Sequence, residues 1–370
     1  MRFPDKVQSA LLFDRDGLSL DAIHKSIVIS DLVATGAQYK NIEYKPGFFR
    51  LFSNDNLTVT VEYLDRPADP AVFRQALGSF FNRVLCPDAE DRIRRHRSHI
   101  LIEVSHGLLP GQMKSVMASM GLPPEGASLP QFQARLTKLA YLSALVQREV
   151  PPTLVHWTLS NQIFSPELFR NAAIGPAPGP LHIHPVLFGD AQNSTGPRMA
   201  GIRTFGARHF IGRELLIEPN PIPWQATFLT MLAFLKVATV PDGYVIPDGD
   251  LLENEDYSEA YRIHHRSADE GDVPLYEFEP MLHQASGFRS PAYVSRESRF
   301  DDRNIPANVM PEDRAGQDAM RAELRGKRRQ AELVGNHFEV RVKSPDGDGR
   351  PPAPLWFPTR PVFGRKKPGT

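Results

Sequence analysis

Two histidines, His182 and His184, lie two residues apart inside the apolar run 181–188. On a β-strand, residues i and i+2 point to one face, so both imidazoles are expected to project together. Such a pair ligates a divalent metal when a carboxylate or a third histidine completes the set. His156, His264 and His265 are the candidate third donors, and no HExxH helix is present. The competing reading is structural: the flanking residues are apolar, so both rings can be satisfied within a core.

A second constellation is a glycine-framed hairpin. Arg203 precedes Gly206, and Arg208, His209 and Arg213 lie about Gly212. Arginine forks suit carboxylate or phosphate, and the glycines would let backbone approach a ligand. The spacing is neither a Walker loop nor GxGxxG. A plain solvated hairpin is the alternative. Asp242 to Glu259 contributes seven acids and neither lysine nor arginine. Oxygen-rich loops bind calcium or magnesium, but the EF-hand spacing is missing. An acidic surface loop, or an electrostatic mate for the arginines, explains it as well. Asp14-Arg-Asp16-Gly17 mimics a phosphotransferase DxD loop, and a β-turn accounts for it equally. There is no GxSxG, and Cys86 ends an amphipathic segment where a buried thiol is expected. No catalytic residue is assigned, and the chain is read as non-enzymatic.

These residues need a scaffold, and the composition supplies a soluble one. Of 370 residues, 41% are hydrophobic and 23% charged, with 43 basic and 43 acidic side chains. Zero formal charge argues against a general nucleic-acid or membrane-surface binder. A single cysteine excludes a disulfide framework and a cysteine zinc site. The opening segment is too soon charged for a signal peptide, and no run reaches the roughly 20 apolar residues of a span. A cytoplasmic location is expected.

In chain order, 7–13 reads as a buried strand closed by a turn at 14–17. Ser19 opens a helix over 19–33, stopped by Gly36. Strands follow at 39–44, 48–53 and 57–64, joined by Pro46-Gly47 and Asn54-Asp55-Asn56. A helix is predicted over 71–85. The basic stretch 92–97 reads as a solvated turn, and 98–105 as a strand. A helix spans 129–148 until Pro151-Pro152. Then come strands at 154–159, 181–188, 199–205 and 214–218, a Ser165-capped helix start, a helix over 221–240, and strands at 261–265 and 275–278. The expected fold is α+β: a mixed, largely antiparallel sheet over 7–283 with helices packed on it. Element order suggests two loosely similar halves, 7–97 and 98–283. Residues 284–343 form a polar extension with a surface helix at 320–333, and 344–370 a proline-rich tail read as disordered.

Several stretches together resemble a bacterial family known as domain of unknown function 4261. They are Ser98-His-Ile-Leu-Ile-Glu-Val, Val155-His-Trp with Gln162-Ile-Phe-Ser-Pro-Glu-Leu-Phe, Gly201-Ile-Arg-Thr-Phe-Gly with Gly212-Arg-Glu-Leu, and Asp242-Gly with Asp248-Gly-Asp-Leu-Leu. The resemblance runs in order over residues 7 to 266. It implies an α+β domain and brings no established activity, cofactor or catalytic residue.

Three functional expectations follow. The first is a non-enzymatic bacterial interaction protein: an adaptor, immunity or accessory protein linked to secretion or toxin systems, with a protein partner, no nucleic acid and no cofactor. The second is a metal-dependent hydrolase using a divalent metal on His182, His184 and a nearby carboxylate. The third is a small-anion or nucleotide sensor built on Arg203, Arg208, His209 and Arg213. The first is favoured, partly for the tail. There Leu355, Trp356, Phe357 and Phe363 are apolar anchors in extended, proline-bound backbone, and Arg365, Lys366 and Lys367 add charge. The equal alternative is a strap that folds back over its own domain.

Overall fold

The computed structural model describes residues 3–108, 119–120, 128–175, 177–189, 199–239, 248–249, 251–254, 258–267 and 273–293, with 315–316, 318–319 and 322. Apart from residue 322, the surface helix expected at 320–333 lies outside the described residues, as do most of the acidic loop and the whole tail, including Leu355, Trp356, Phe357, Phe363, Arg365, Lys366 and Lys367.

The fold is α+β, with strands in two sheets rather than one. The first sheet is antiparallel throughout. Its strands are β1 (Lys6–Phe13), β2 (Tyr39–Lys45), β3 (Phe48–Ser53), β4 (Leu57–Leu64), β5 (Ser98–His106), β6 (Leu154–Trp157) and β7 (Gln162–Phe164), ordered β2-β3-β4-β5-β1-β6-β7. The second holds β8 (His184–Gly189), β9 (Ala200–Phe205), β10 (Glu214–Asn220), β11 (Leu251–Glu253), β12 (Glu259–Arg266) and β13 (Leu275–His283), ordered β11-β12-β13-β10-β9-β8. Its one parallel pair is β10 with β13, and the short β14 (Phe288–Arg289) pairs with β13. The halves 7–97 and 98–283 therefore do not match the sheets. β5, β6 and β7 complete the first sheet, and the chain changes sheet between 164 and 184.

One face of β1 carries Val7, Leu11 and Phe13 into the main core. That face is covered by α1 (Asp21–Thr35) and α5 (Leu129–Glu149). Gly36 ends α1 in left-handed backbone, its N–H returning to the Leu32 carbonyl at 3.0 Å. A Ser128/Gln131 capping box starts α5. The same core continues into the second sheet through Ile202, Leu215 and Ile217 and into α8 (Trp224–Ala238). Phe132 on α5 meets Phe210, and Phe81 meets Phe228.

Three local expectations change. The helix expected over 71–85 is a 3-10 turn (Pro70–Phe73) followed by α2 (Arg74–Gly78) and α3 (Phe80–Leu85). Ser79 between them is extended, at φ −73° and ψ 129°. The break lets Phe73 and Ala76 join a separate cluster with Leu12, while Phe81 enters the main core. The basic stretch expected to be a turn is instead the end of α4 (Ala89–Arg95). Only Ala89 and Ile93 of α4 are buried, too short an apolar face to register as a period. Finally, β8 begins at His184. His182 sits in the turn before it, so the two do not share a strand. The Ser165-capped start becomes α6 (Pro166–Ala172), and the link between β9 and β10 contains α7 (Arg208–Ile211).

Candidate functional site

The face of the first sheet opposite α1 and α5 is only partly covered. At one end Phe73, Ala76, Cys86, Ala89 and Ile93 pack on Leu12, Leu154 and Ile163. Beyond them strand alternation brings Gln8 and Ala10 of β1, His99 and Leu101 of β5, and His156 of β6 to the same side. The register places His156, Ala10 and Leu101 in one row and Leu12 beside His99 in the next. The segment 66–73, leaving β4 for α2, forms the opposite wall. Between them lies a groove of about 510 Å³, lined also by Arg66, Ala68, Asp69, Val72, Phe73 and Thr158.

Hydrogen bonds fix the imidazoles. His99 Nδ1 is 2.9 Å from the Arg66 carbonyl, which can only accept, so the ring proton is on Nδ1 and Nε2 carries the lone pair. His156 Nε2 is 3.0 Å from Asn161 Oδ1, while the Asn161 amide donates to Gln75 Oε1 at 3.1 Å. His156 therefore donates through Nε2 and keeps its lone pair on Nδ1. Burial lowers the pKa of both rings, so they are neutral acceptors at pH 7. The Phe73 ring stands edge-on to His156 at 5.1 Å.

The wall is pinned by His96, whose Nε2 accepts from the Ala68 N–H at 2.8 Å while its Nδ1 donates to the Ile93 carbonyl. Asp69 Oδ1 accepts from the Ala71 N–H at 2.9 Å, fixing that carboxylate at the rim. Arg66 is exposed, and its guanidinium has no partner among the described residues. Gln8 is committed to Glu103 at 2.6 Å, and the Thr158 hydroxyl donates to the Gln8 carbonyl at 2.7 Å. The groove thus offers one cation, one carboxylate and two neutral acceptors over an apolar floor of Ala10 and Leu101. Such a set can pair with the charged and donor groups of a ligand.

The histidines singled out by spacing are used internally. His182 Nδ1 accepts the Gly179 N–H at 3.1 Å, and its ring stands edge-on to Trp157 and Phe210. Burial pushes it down to about 3. His184 Nδ1 donates to the Ser160 carbonyl at 3.2 Å, and its Nε2 accepts from the Ser79 hydroxyl at 2.7 Å. Both ring nitrogens of His184 are spent on the fold. His264 instead faces Glu279 at 3.1 Å, and His265 packs on Tyr276. Among the described residues, no group of three or more His, Cys, Asp or Glu is placed to hold a metal.

The hairpin arginines are not brought together. Arg203 is exposed on β9, in register with Val186 and Leu216. Arg208 lies over the Phe205 ring and 3.9 Å from Glu214. Arg213 lies over Tyr276 and donates to the Leu275 carbonyl at 3.3 Å. His209 packs on Phe132, and burial lowers it to about 4. The hairpin's centre is instead buried Glu214, whose carboxylate accepts the Gly206 N–H, the Ala207 N–H and the Thr204 hydroxyl at 2.8 to 3.0 Å. Gly206 does allow a close backbone approach, but to this chain: a Cβ there would sit 2.4 Å from the His182 carbonyl oxygen.

The groove residues were mostly missed from sequence. The available signal was the polar alternation of His99 and Glu103 along β5, masked because Leu101 between them is apolar. His156 was noted, but for a metal. No family model, no curated protein and no solved structure matches this chain.

Proposed function

We propose that this chain is a non-enzymatic binding protein whose ligand seat is the groove between 66–73 and the open face of the first sheet. The observation that supports it is the combination of a half-open cavity of about 510 Å³ with an unpaired guanidinium at its rim and two imidazoles held with lone pairs free. Arg66 and Asp69 stand exposed at the rim above an apolar floor, and a few polar groups around an apolar concavity are what preformed sites use to orient a ligand.

The motif resemblance to domain of unknown function 4261 is what supports a bacterial origin, and an adaptor, immunity or accessory role in the cytoplasm is the reading that accompanies it. The metal-hydrolase reading draws less support, because His184 has both ring nitrogens engaged and His182 is walled by aromatic rings. The anion- or nucleotide-sensor reading also draws less support, because Arg208 lies on Phe205 and Glu214 while Arg213 lies on Tyr276.

The test fills the groove. Ala10 sits in its floor, so Ala10→Trp projects an indole into the cavity. Native mass spectrometry of the full chain, purified from its host under gentle conditions, should show a bound species that the variant lacks. Equal occupancy of both proteins, with unchanged circular dichroism, would remove the groove from the account.

A further inference from the structure

We infer that the groove takes a free α-amino acid with an apolar side chain, an inference that rests on the groove being a ligand seat. The argument is one of charge and hydrogen-bond balance. The lining holds a single guanidinium, Arg66, which has no partner among the described residues. It holds one rim carboxylate, Asp69, which spends one oxygen on the Ala71 N–H. It also holds two neutral imidazoles whose free lone pairs are on His99 Nε2 and His156 Nδ1.

A phosphate or other dianion fits this set poorly. One guanidinium would face it, together with a carboxylate and two lone pairs that repel it. A simple cation is opposed by Arg66. A wholly apolar ligand would leave four polar groups without partners, at a cost of about 1–3 kcal/mol for each one it buries. A zwitterion matches both charges. Its carboxylate pairs with the planar Arg66 fork, and its ammonium donates to Asp69 and to one of the two imidazoles, which stand on the strands either side of β1. The remaining wall, Val72, Leu101 and Ala10, is apolar and receives the side chain.

The experiment is a thermal-shift and calorimetric comparison on the full chain. L-leucine, L-methionine and L-valine are tested beside leucine amide, which lacks the carboxylate, N-acetyl-leucine, which lacks the ammonium, and inorganic phosphate. At least one free amino acid should bind, and both blocked leucines should bind about tenfold or more weaker. Arg66→Ala should weaken the free amino acid while leaving leucine amide unchanged. Asp69→Asn keeps the oxygen that accepts from Ala71 and should weaken the free amino acid but not N-acetyl-leucine. Binding of the blocked forms or of phosphate as tightly as the free amino acid would overturn the inference. So would failure of all three amino acids to bind. If Ala10→Trp removes a co-purified species that is no amino acid, the seat stands and only its ligand class falls.

Discussion

Ser79 and His184 join the broken helical segment to the second sheet. The hydroxyl donates to Nε2 across 2.7 Å, and the imidazole Nδ1–H donates to the Ser160 carbonyl at 3.2 Å. This resembles the first two links of a serine hydrolase. Yet burial lowers His184 to about 4, so the ring is a weak base at neutral pH. The pair ties α3's N-terminal break to β8. Ser79 is extended because the chain must turn there to send Phe73 and Phe81 into different clusters.

The first prediction is a pH dependence of stability. Unfolded, His182 and His184 titrate near 6.5; folded, they titrate at about 3 and about 4. Below pH 6.5 the unfolded chain binds protons that the folded chain refuses. The contribution is therefore complete above 6.5 and is lost as pH falls towards 4 and then 3, at about 1.4 kcal/mol per pH unit for each ring. Urea melts at about pH 7 and pH 5 should show this loss, and His184→Gln should lose distinctly less than wild type. Parallel losses would mean that His184 is not buried neutral.

A second prediction concerns Asp31 and Lys138, a buried pair 2.8 Å apart whose side chains are 0% and 9% exposed. Asp31 also accepts from the Thr35 hydroxyl at 2.7 Å and from the Tyr39 hydroxyl. Asp31→Asn leaves the Lys138 ammonium in the core with only the half-exposed Asp55, 3.8 Å away, and should cost about 3 kcal/mol. Adding Lys138→Met should recover much of that, because no buried ammonium remains and Asp55 is half-exposed to solvent. Additive losses in denaturant unfolding would show that the two residues act independently.

Much of this fold was legible in the chain because its signals are local. Gly36 ends α1, Ser165 caps α6, and the turns at 46–47 and 54–56 set the β2–β4 meander. What was not legible depends on tertiary partners. Nothing near residue 97 reveals that β5 pairs with β1, or that β6 and β7 return to the first sheet after α5. The 71–85 period reads as one helix because Phe73 and Phe81 share helical spacing; only their different destinations require the break. The groove was obscure for the same reason: Arg66, His99 and His156 are separated by long stretches of sequence and meet only through strand register. The alternation at His182 and His184 was genuine in spacing, but one of them lies in a turn.

The third prediction tests close packing in the second sheet. A Cβ on Gly201 would lie 2.5 Å from the Phe188 ring and 2.9 Å from the Ile217 carbonyl oxygen. The ring can yield, but the carbonyl belongs to the β9–β10 ladder and cannot move freely. Gly201→Ala should therefore destabilise by about 1–3 kcal/mol. Phe188→Leu in the same chain should restore only the part due to the ring. Full restoration would show that the backbone contact carries no strain.

The measurement that bears most directly on the groove is a long-range proton–nitrogen correlation spectrum of the histidine rings at about pH 7, with His99→Gln and His156→Gln used to assign them. Both rings should be neutral, His99 as the Nδ1–H tautomer and His156 as the Nε2–H tautomer, leaving on each of these lining residues one nitrogen lone pair not used by the protein. Both sets of resonances should move when a bound amino acid is titrated in and stay still in Ala10→Trp. A protonated ring at that pH, or either tautomer reversed, would mean the lone pairs are spent on the protein itself and the groove is not a ligand seat.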